Sequence, residues 1–344
     1  MGMSLTLYIF DLLQKTMHKS IFILLSSLFI CVSLTSLNAQ ERTDPKNQYE
    51  ELGMVSWYRD YDEALALSKK EKKPVLILFQ EVPGCSTCRN YGHHVLSNPL
   101  MVEAIENEFI PLVIYNNKGG KDKLILNQFN EPSWNNPVVR IVNYTGKDII
   151  NRISGKYSAS SLYSGMDSAL KNSNIKVPEY LKLLGEELTA VSNRTVKEKY
   201  FKMYCFWSGE KHLGASKGVL NTEAGFMGGH EVVKVKYDAS QLDESELTQY
   251  AKTASITPIN KDNTYRPATN DEDYYLKHTN YKYLPLTELQ RTKINSALGN
   301  RKSANKYLSP KQLLWLQELN SSDAKRITLY NRPFKKSWAS KNSK

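Results

Sequence analysis

Val82-Pro83-Gly84-Cys85-Ser86-Thr87-Cys88 is the stretch that decides the fold of this chain. It sets two thiols one helical turn apart. Ahead of it runs Val75-Leu76-Ile77-Leu78-Phe79, a continuous apolar segment of strand length, as in a strand buried on both faces. Further back, Pro74 stops a helix read over residues 60–73, whose end carries Lys69-Lys70 and Lys72-Lys73, the charge that suits a helix C-terminus. Beyond the thiols, a helical stretch runs from Cys88 to about Leu96. The dithiol therefore falls between the end of a buried strand and the start of a helix. There the first thiol meets unpaired backbone N–H groups and the positive end of the helix dipole, which favour the Cys85 thiolate. Cys88 lies within disulfide reach and can resolve a mixed disulfide. A structural disulfide competes with this reading. A zinc site also competes, but it needs two further ligands and the chain has no second cysteine pair.

Working outward, Pro99 to Asn107 reads as a helix, Phe109 to Tyr115 as a second buried strand and Val138 to Val142, after Pro137, as a third. A turn over Asn143 to Lys147 leads to a strand over Ile149 to Ile153 and a closing helix over Ser158 to Leu170. Strands alternating with helices predict a mixed sheet with helical cover. Residues 55–171 resemble the thioredoxin superfamily through Trp57, Lys72-Lys73-Pro74, the buried strand, the dithiol and Pro137. The resemblance makes Asn136-Pro137 the family's cis-proline, which sits against the dithiol and helps bind partner chains. The Val-Pro-Gly-Cys opening also resembles a bacterial subgroup in which selenocysteine can replace the first cysteine. Ser86-Thr87 stands where the family usually has Gly-Pro, and those two positions tune redox potential, so the direction of electron flow stays open.

The second half begins after a connector over residues 172–197, polar at its ends around Tyr180-Leu181-Leu183-Leu184-Leu188. A strand is read up to Phe206, a helix near Glu210 to Ser216, a strand over Val232 to Tyr237 and a helix over Glu244 to Lys252. Residues 259–273 read as irregular, and Leu286 to Leu298 and Ser309 to Leu319 as amphipathic helices. Cys205, taken alone, is a buried apolar residue among aromatics. Its surroundings over residues 200–283 resemble the A-type peptide methionine sulfoxide reductases: Cys205-Phe206-Trp207 with Glu210, then Gly225-Phe226-Met227-Gly228-Gly229, then Glu231-Val232-Val233 and Tyr237-Asp238, with Pro267-Ala268 and Tyr275-Leu276-Lys277 toward the end. The resemblance implies a Cys205 nucleophile, a Phe206–Trp207 pocket for the substrate S-methyl group and Glu231 as a protonated acid, a role that burial would favour. Loss of the sulfoxide oxygen would leave a sulfenic acid at Cys205. The family's tyrosine-bearing loop is missing before Glu231, its Gly-Thr-Gln-Tyr-Arg stretch is not visible, and no resolving cysteine follows Cys205. Tyr265, Tyr274, Tyr275, Tyr281 and Tyr283 are alternative sources of a hydroxyl. The missing resolvers suggest that Cys85 and Cys88 reduce the oxidised Cys205 within the chain, where attachment raises effective concentration.

At 344 residues the chain exceeds what one core usually organises, and 41% apolar with 24% charged residues is ordinary for a globular protein. Met17-His18-Lys19, an apolar run from Ile21 to Val32 and Ala39 form a secretory signal, with Met17 as the start; left uncleaved, it would tether the chain to a membrane. No other segment is apolar enough to span a bilayer. Three cysteines remain after the signal, an odd number in an oxidising compartment. The formal charge is +11. Lys325, Arg326, Arg332, Lys335, Lys336, Lys341 and Lys344 sit in a stretch without acids, read as a solvated, frayed tail. Its few aromatics do not make a nucleic-acid platform. His93, His94 and His230 read as surface residues, and no metal or cofactor is assigned.

The expected fold class is α/β, a thioredoxin-like domain over residues 50–171, joined by a linker over 172–197 to an α+β two-layer sulfoxide-reductase-like domain. That second domain spans 198–320 with its C-terminal helices, and a basic tail covers 321–344. The expected protein is exported, periplasmic or secreted. It is a sulfur-group oxidoreductase that reduces peptide methionine S-sulfoxide at Cys205 with electrons from Cys85–Cys88. Its partners are oxidised or disulfide-bonded proteins and an upstream thiol reductant. The alternatives are a general thiol–disulfide oxidoreductase whose second domain only binds clients, and a non-enzymatic scaffold with a stabilising Cys85–Cys88 bridge.

Overall fold

A computed structural model describes residues 42–320 and 326–342; the signal read over residues 1–39 lies outside the described residues. Two sheets organise the described residues. The first has the order β2-β1-β3-β4, with β1 at Val75–Gln80, β2 at Ile110–Tyr115, β3 at Val138–Val142 and β4 at Ile153–Ser154. β1 pairs parallel with β2, in the register Val75 to Ile110, and antiparallel with β3, in the register Val75 to Val142. Every residue of β1 is buried, as its unbroken apolar run requires of a strand covered on both faces. α1 (Tyr61–Glu71) starts where the Asp60 side chain accepts the Glu63 N–H, and ends at Lys72 in the left-handed conformation. α2 spans Ser86–His94, and α3 (Pro99–Glu108) is capped by Asn98.

The sequence reading departs from this sheet in two places. The strand expected over Ile149 to Ile153 shrinks to Ile153–Ser154; ahead of it only Asp148 bridges Val142 and the Ile149 N–H donates to the Ile141 carbonyl at 2.9 Å, while Ile149 and Ile150 pack on the core. A helix not read from the sequence, α4 (Gly120–Gln128), connects β2 toward β3; its mixed polarity carries almost no amphipathic signal.

α5 (Ala159–Asn172) is followed by α6 (Glu179–Asn193). The expected connector is thus a packed helix and not a loose tether: Leu183 and Ala190 of α6 are buried with Leu220 and Leu289, and the Tyr180 hydroxyl donates to Glu108 of α3 at 3.1 Å. The second sheet is antiparallel, in the order β8-β5-β7-β6-β9, with β5 Val196–Met203, β6 Val219–Met227, β7 His230–Asp238, β8 Thr257–Ile259 and β9 Arg266–Pro267. α7 (Phe206–Ala215) packs against it, and α8 (Glu244–Lys252) opens with a capping box between Asp243 and Glu246. The strand predicted up to Phe206 stops at Met203, so Cys205 occupies the cap of α7.

After the short helix α9 (Tyr274–Lys277), α10 (Glu288–Gly299) lies on α7, where Lys293 Nζ donates to the Gly214 carbonyl at 3.0 Å and the Ser216 carbonyl at 2.6 Å. α11 (Pro310–Asn320) reaches α3, where the Lys311 N–H donates to Glu103 Oε2 at 2.9 Å. The tail corrects the frayed reading. Leu329 and Tyr330 are buried, and α12 (Phe334–Asn342) sets Trp338 against Trp315 with ring centroids 4.8 Å apart. The burial of those three side chains outweighs the mutual repulsion of solvated lysines at the surface. One apolar core accordingly runs from Leu52 through Leu100, Tyr180 and Ile294 to Trp338, and the described residues from Arg42 onward form one compact unit.

Candidate functional site

The dithiol is built by three pieces of chain. β1 delivers Gln80 and Glu81 to the end of the sheet, and α2 begins with Cys85 as its cap residue, so the Cys85 sulfur stands among the free N–H groups of the first turn. Backbone hydrogen bonding at Cys88 is the main cause that lowers the Cys85 pKa, against a smaller opposing effect of burial. The two sulfurs are 3.5 Å apart. Cys85 is exposed and Cys88 has no exposed surface. Burial pushes the Cys88 thiol up to about 12, with the hydrogen bond and charge of Cys85 adding to it. The Cys88 thiol donates to Asn136 Oδ1 at 2.7 Å, and the Asn136–Pro137 peptide is cis, as the family resemblance implied for Pro137.

The third piece was not legible in the sequence. A single helical turn, Glu50–Leu52, clamps the dithiol loop from behind. The Gly84 N–H donates to Glu51 Oε1 at 2.7 Å, and Gln80 Nε2 donates to the Glu51 carbonyl at 2.9 Å and to the Cys88 carbonyl at 3.4 Å. Glu51 is 2% exposed. Glycine is required twice by close approach. A Cβ on Gly84 would stand 2.4 Å from the Glu81 carbonyl oxygen and 2.8 Å from Cys88 Cβ, and one on Gly92 would stand 2.0 Å from the Glu50 carbonyl oxygen. His93, read as a surface residue, lies 2.8 Å from Glu50 Oε2, and Arg89 Nε lies 3.1 Å from Glu50 Oε1. The Glu81 carboxylate lies within 4.8 Å of both sulfurs, a neighbour that sequence reasoning missed although it is only four residues from Cys85.

Cys205 is half-buried at the start of α7. The structure gathers most of the residues expected around it. Phe206 and Trp207 meet edge to face at 6.1 Å, Phe206 meets Phe226 at 5.5 Å, and Trp207 stacks on Tyr274 at 4.1 Å while its Nε1 donates to the Asp271 carbonyl at 3.0 Å. Glu231 Oε2 accepts the Phe206 N–H at 2.8 Å. Glu231 is half-buried, and the fully buried acid of the motif is Glu210. Glu210 Oε2 accepts the Asp273 N–H at 3.0 Å, and burial holds its carboxyl well above the usual carboxylate range, reinforced by the nearby charge of Asp273. Asp273 is itself paired with Arg291 at 2.9 Å. Of the five tyrosines left open by the sequence, Tyr275 has its hydroxyl pKa raised by burial first and by charge at Cys205 second. Tyr265 is engaged elsewhere, donating to Glu223 Oε1 at 2.5 Å.

Residues 56–143 match the model of a family described as thioredoxin-like, and with the dithiol at a helix start they constitute a thioredoxin-like domain. The thioredoxin-related protein DsbJ of Chlamydia pneumoniae is 28% identical over 86 residues, which are 25% of this chain and 23% of that protein. The alignment thus spans about a quarter of the relative's own length. A solved structure of a DsbH oxidoreductase aligns over 40% of this chain and 95% of its own with 19% identity and a TM-score of 0.30. The family model ends at residue 143, short of Cys205. Among the described residues, no helix is long and apolar enough to cross a membrane.

Proposed function

We propose that this protein is a thiol–disulfide oxidoreductase that acts through Cys85 and Cys88. The observation that carries the reading is the sulfur pair itself, 3.5 Å apart at a helix start with one thiol exposed and the other buried. The exposed Cys85 thiolate attacks a client disulfide and releases one client thiolate. Cys88 then loses its proton and attacks Cys85, which frees the second client thiol and leaves a Cys85–Cys88 disulfide. An upstream thiol reductant supplies the two electrons that reset the pair. Trp134, 81% exposed on the loop leading to Pro137, offers an unfolded client an apolar contact. Reduction of insulin disulfides is the test. It should vanish in Cys85→Ser and persist in Cys205→Ser; a Cys85→Ser protein that reduces insulin at the parental rate refutes the reading.

A second reading is favoured by the aromatic wall of Phe206, Trp207 and Phe226 beside Cys205 and by Tyr275, whose hydroxyl pKa is raised by burial and then by charge at Cys205. Here Cys205 attacks the sulfur of a methionine S-sulfoxide, Glu231 or Tyr275 delivers a proton to the oxygen, and methionine leaves with Cys205 as a sulfenic acid. The two dithiol protons and electrons then convert that sulfenic acid to thiol and water, forming the Cys85–Cys88 disulfide. A single turnover on a sulfoxide peptide, with thiols counted afterwards, tests it: loss of two thiols that depends on both Cys205 and Cys85 supports the relay. Absence of product while insulin is still reduced leaves the second sheet as a client-binding element.

A further inference from the structure

We propose that the reduced dithiol and Glu81 together form a binding site for a thiophilic divalent cation of the zinc class. Read from the sequence, zinc lacked ligands beyond the two cysteines. The fold supplies a third, because the turn out of β1 folds Glu81 back over the thiols, and one carboxylate oxygen and both sulfurs lie within 4.8 Å of one another. The spacing suits a small ion. Two thiolates bound to zinc at ~2.3 Å with tetrahedral angles stand roughly 3.8 Å apart, and the observed separation is 3.5 Å. The donor set, two thiolates and one carboxylate, selects zinc over calcium or magnesium, which take all-oxygen shells.

The surroundings fit the same ion. Cys88 is buried and its thiol is positioned by Asn136 before the metal arrives, a hydrogen bond given up when zinc displaces the thiol proton. Cys85 is exposed, which leaves the fourth position facing solvent for water or an incoming thiolate. Gly84, which has no room for a side chain between Glu81 and Cys88, keeps the two ligand-bearing ends of the loop together. Binding displaces the Cys88 proton to solvent, together with that of Cys85 where it is still protonated, and involves no electron transfer. When the dithiol instead passes its electron pair to a client disulfide, the sulfurs bond to each other and the ion is released. Zinc and client disulfide thereby compete for one pair of sulfurs, and zinc occupancy stores the protein in its reduced form.

The test is anaerobic titration of the pre-reduced full chain with Zn2+ against a chromophoric chelator. One ion per chain is expected, with none held by the oxidised protein. Cys85→Ser and Cys88→Ser should abolish competition with the chelator, and Glu81→Gln should weaken binding about tenfold to a hundredfold, the loss of one charge-assisted contact. Circular dichroism of each variant excludes unfolding as the cause, and Co2+ in place of zinc should show a sulfur-to-metal absorption band that weakens or shifts in Glu81→Gln. Binding equally tight in Glu81→Gln, one ion shared between two chains, or binding that survives oxidation of the dithiol would each overturn the proposal. Insulin reduction measured with excess chelator is a separate readout, so failure of zinc binding and failure of the oxidoreductase reading are distinguishable.

Discussion

Cys88 and Asn136, 48 residues apart in the chain, are joined by a 2.7 Å hydrogen bond from the thiol to the side-chain carbonyl. The bond exists only in the reduced state, since a disulfide has no proton to donate. It therefore stabilises the dithiol over the disulfide. Asn136→Ala should remove about 1 kcal/mol from the reduced form and make the reduction potential more negative by roughly 20 mV. Equilibration with glutathione buffers measures the shift; an unchanged or more positive potential contradicts it.

Gly84→Ala forces a methyl group between the Glu81 carbonyl and Cys88. The loop must move off the Glu50–Leu52 turn, with the Gly84 to Glu51 hydrogen bond strained or lost. The expected cost is about 1–3 kcal/mol in urea unfolding, with slower insulin reduction, because the two sulfurs no longer hold their spacing.

Lys293 makes stability depend on alkaline pH. Burial pulls its pKa down to about 8, against the smaller opposing effect of Glu186. The unfolded chain keeps the proton to near the ordinary lysine value, so between pH 8 and about 10.4 the unfolded state binds more protons and stability rises with pH. Below pH 8 both states are protonated and this contribution is flat. Lys293→Met should lack the rise, which is on the order of 3 kcal/mol; parallel unfolding curves of the two proteins from pH 7.5 to 10 would refute the assignment.

A fragment ending at residue 175 would lack the cover that α6 and α11 give to α3. Leu100, Met101 and Ala104 share a core with Leu181, Leu184, Trp315 and Leu316. The fragment should be markedly less stable than the full chain and prone to associate. A fragment that melts cooperatively at the parental temperature would make the first sheet an autonomous folding unit.

The legible parts of this fold are local. The run Val75 to Phe79, the breaker Pro74 and the two thiols lie within fifteen residues, and each reports on its own immediate conformation. The cis-proline was legible through family resemblance. What escaped depends on distant chain segments. Glu51 reaches the dithiol loop from 33 residues away, and Asn136 reaches Cys88 across the sheet. The burial of Glu210 in place of Glu231 is decided by Asp273 and Arg291, which arrive from the C-terminal helices. In the tail, seven cations concealed Leu329, Tyr330 and Trp338, because charge is read from composition while burial depends on where the segment docks.

The hydrogen bond from Lys311 to Glu103 joins positions 208 residues apart. A ribosome adding roughly 5–20 residues per second completes the α3 surface some 10–40 s before it has made the helix that covers it. For that interval α3 has only the cover of α6, while the dithiol loop beside it is already synthesised. The fold around the dithiol is thus completed by segments made last, and its stability is set by the far end of the chain.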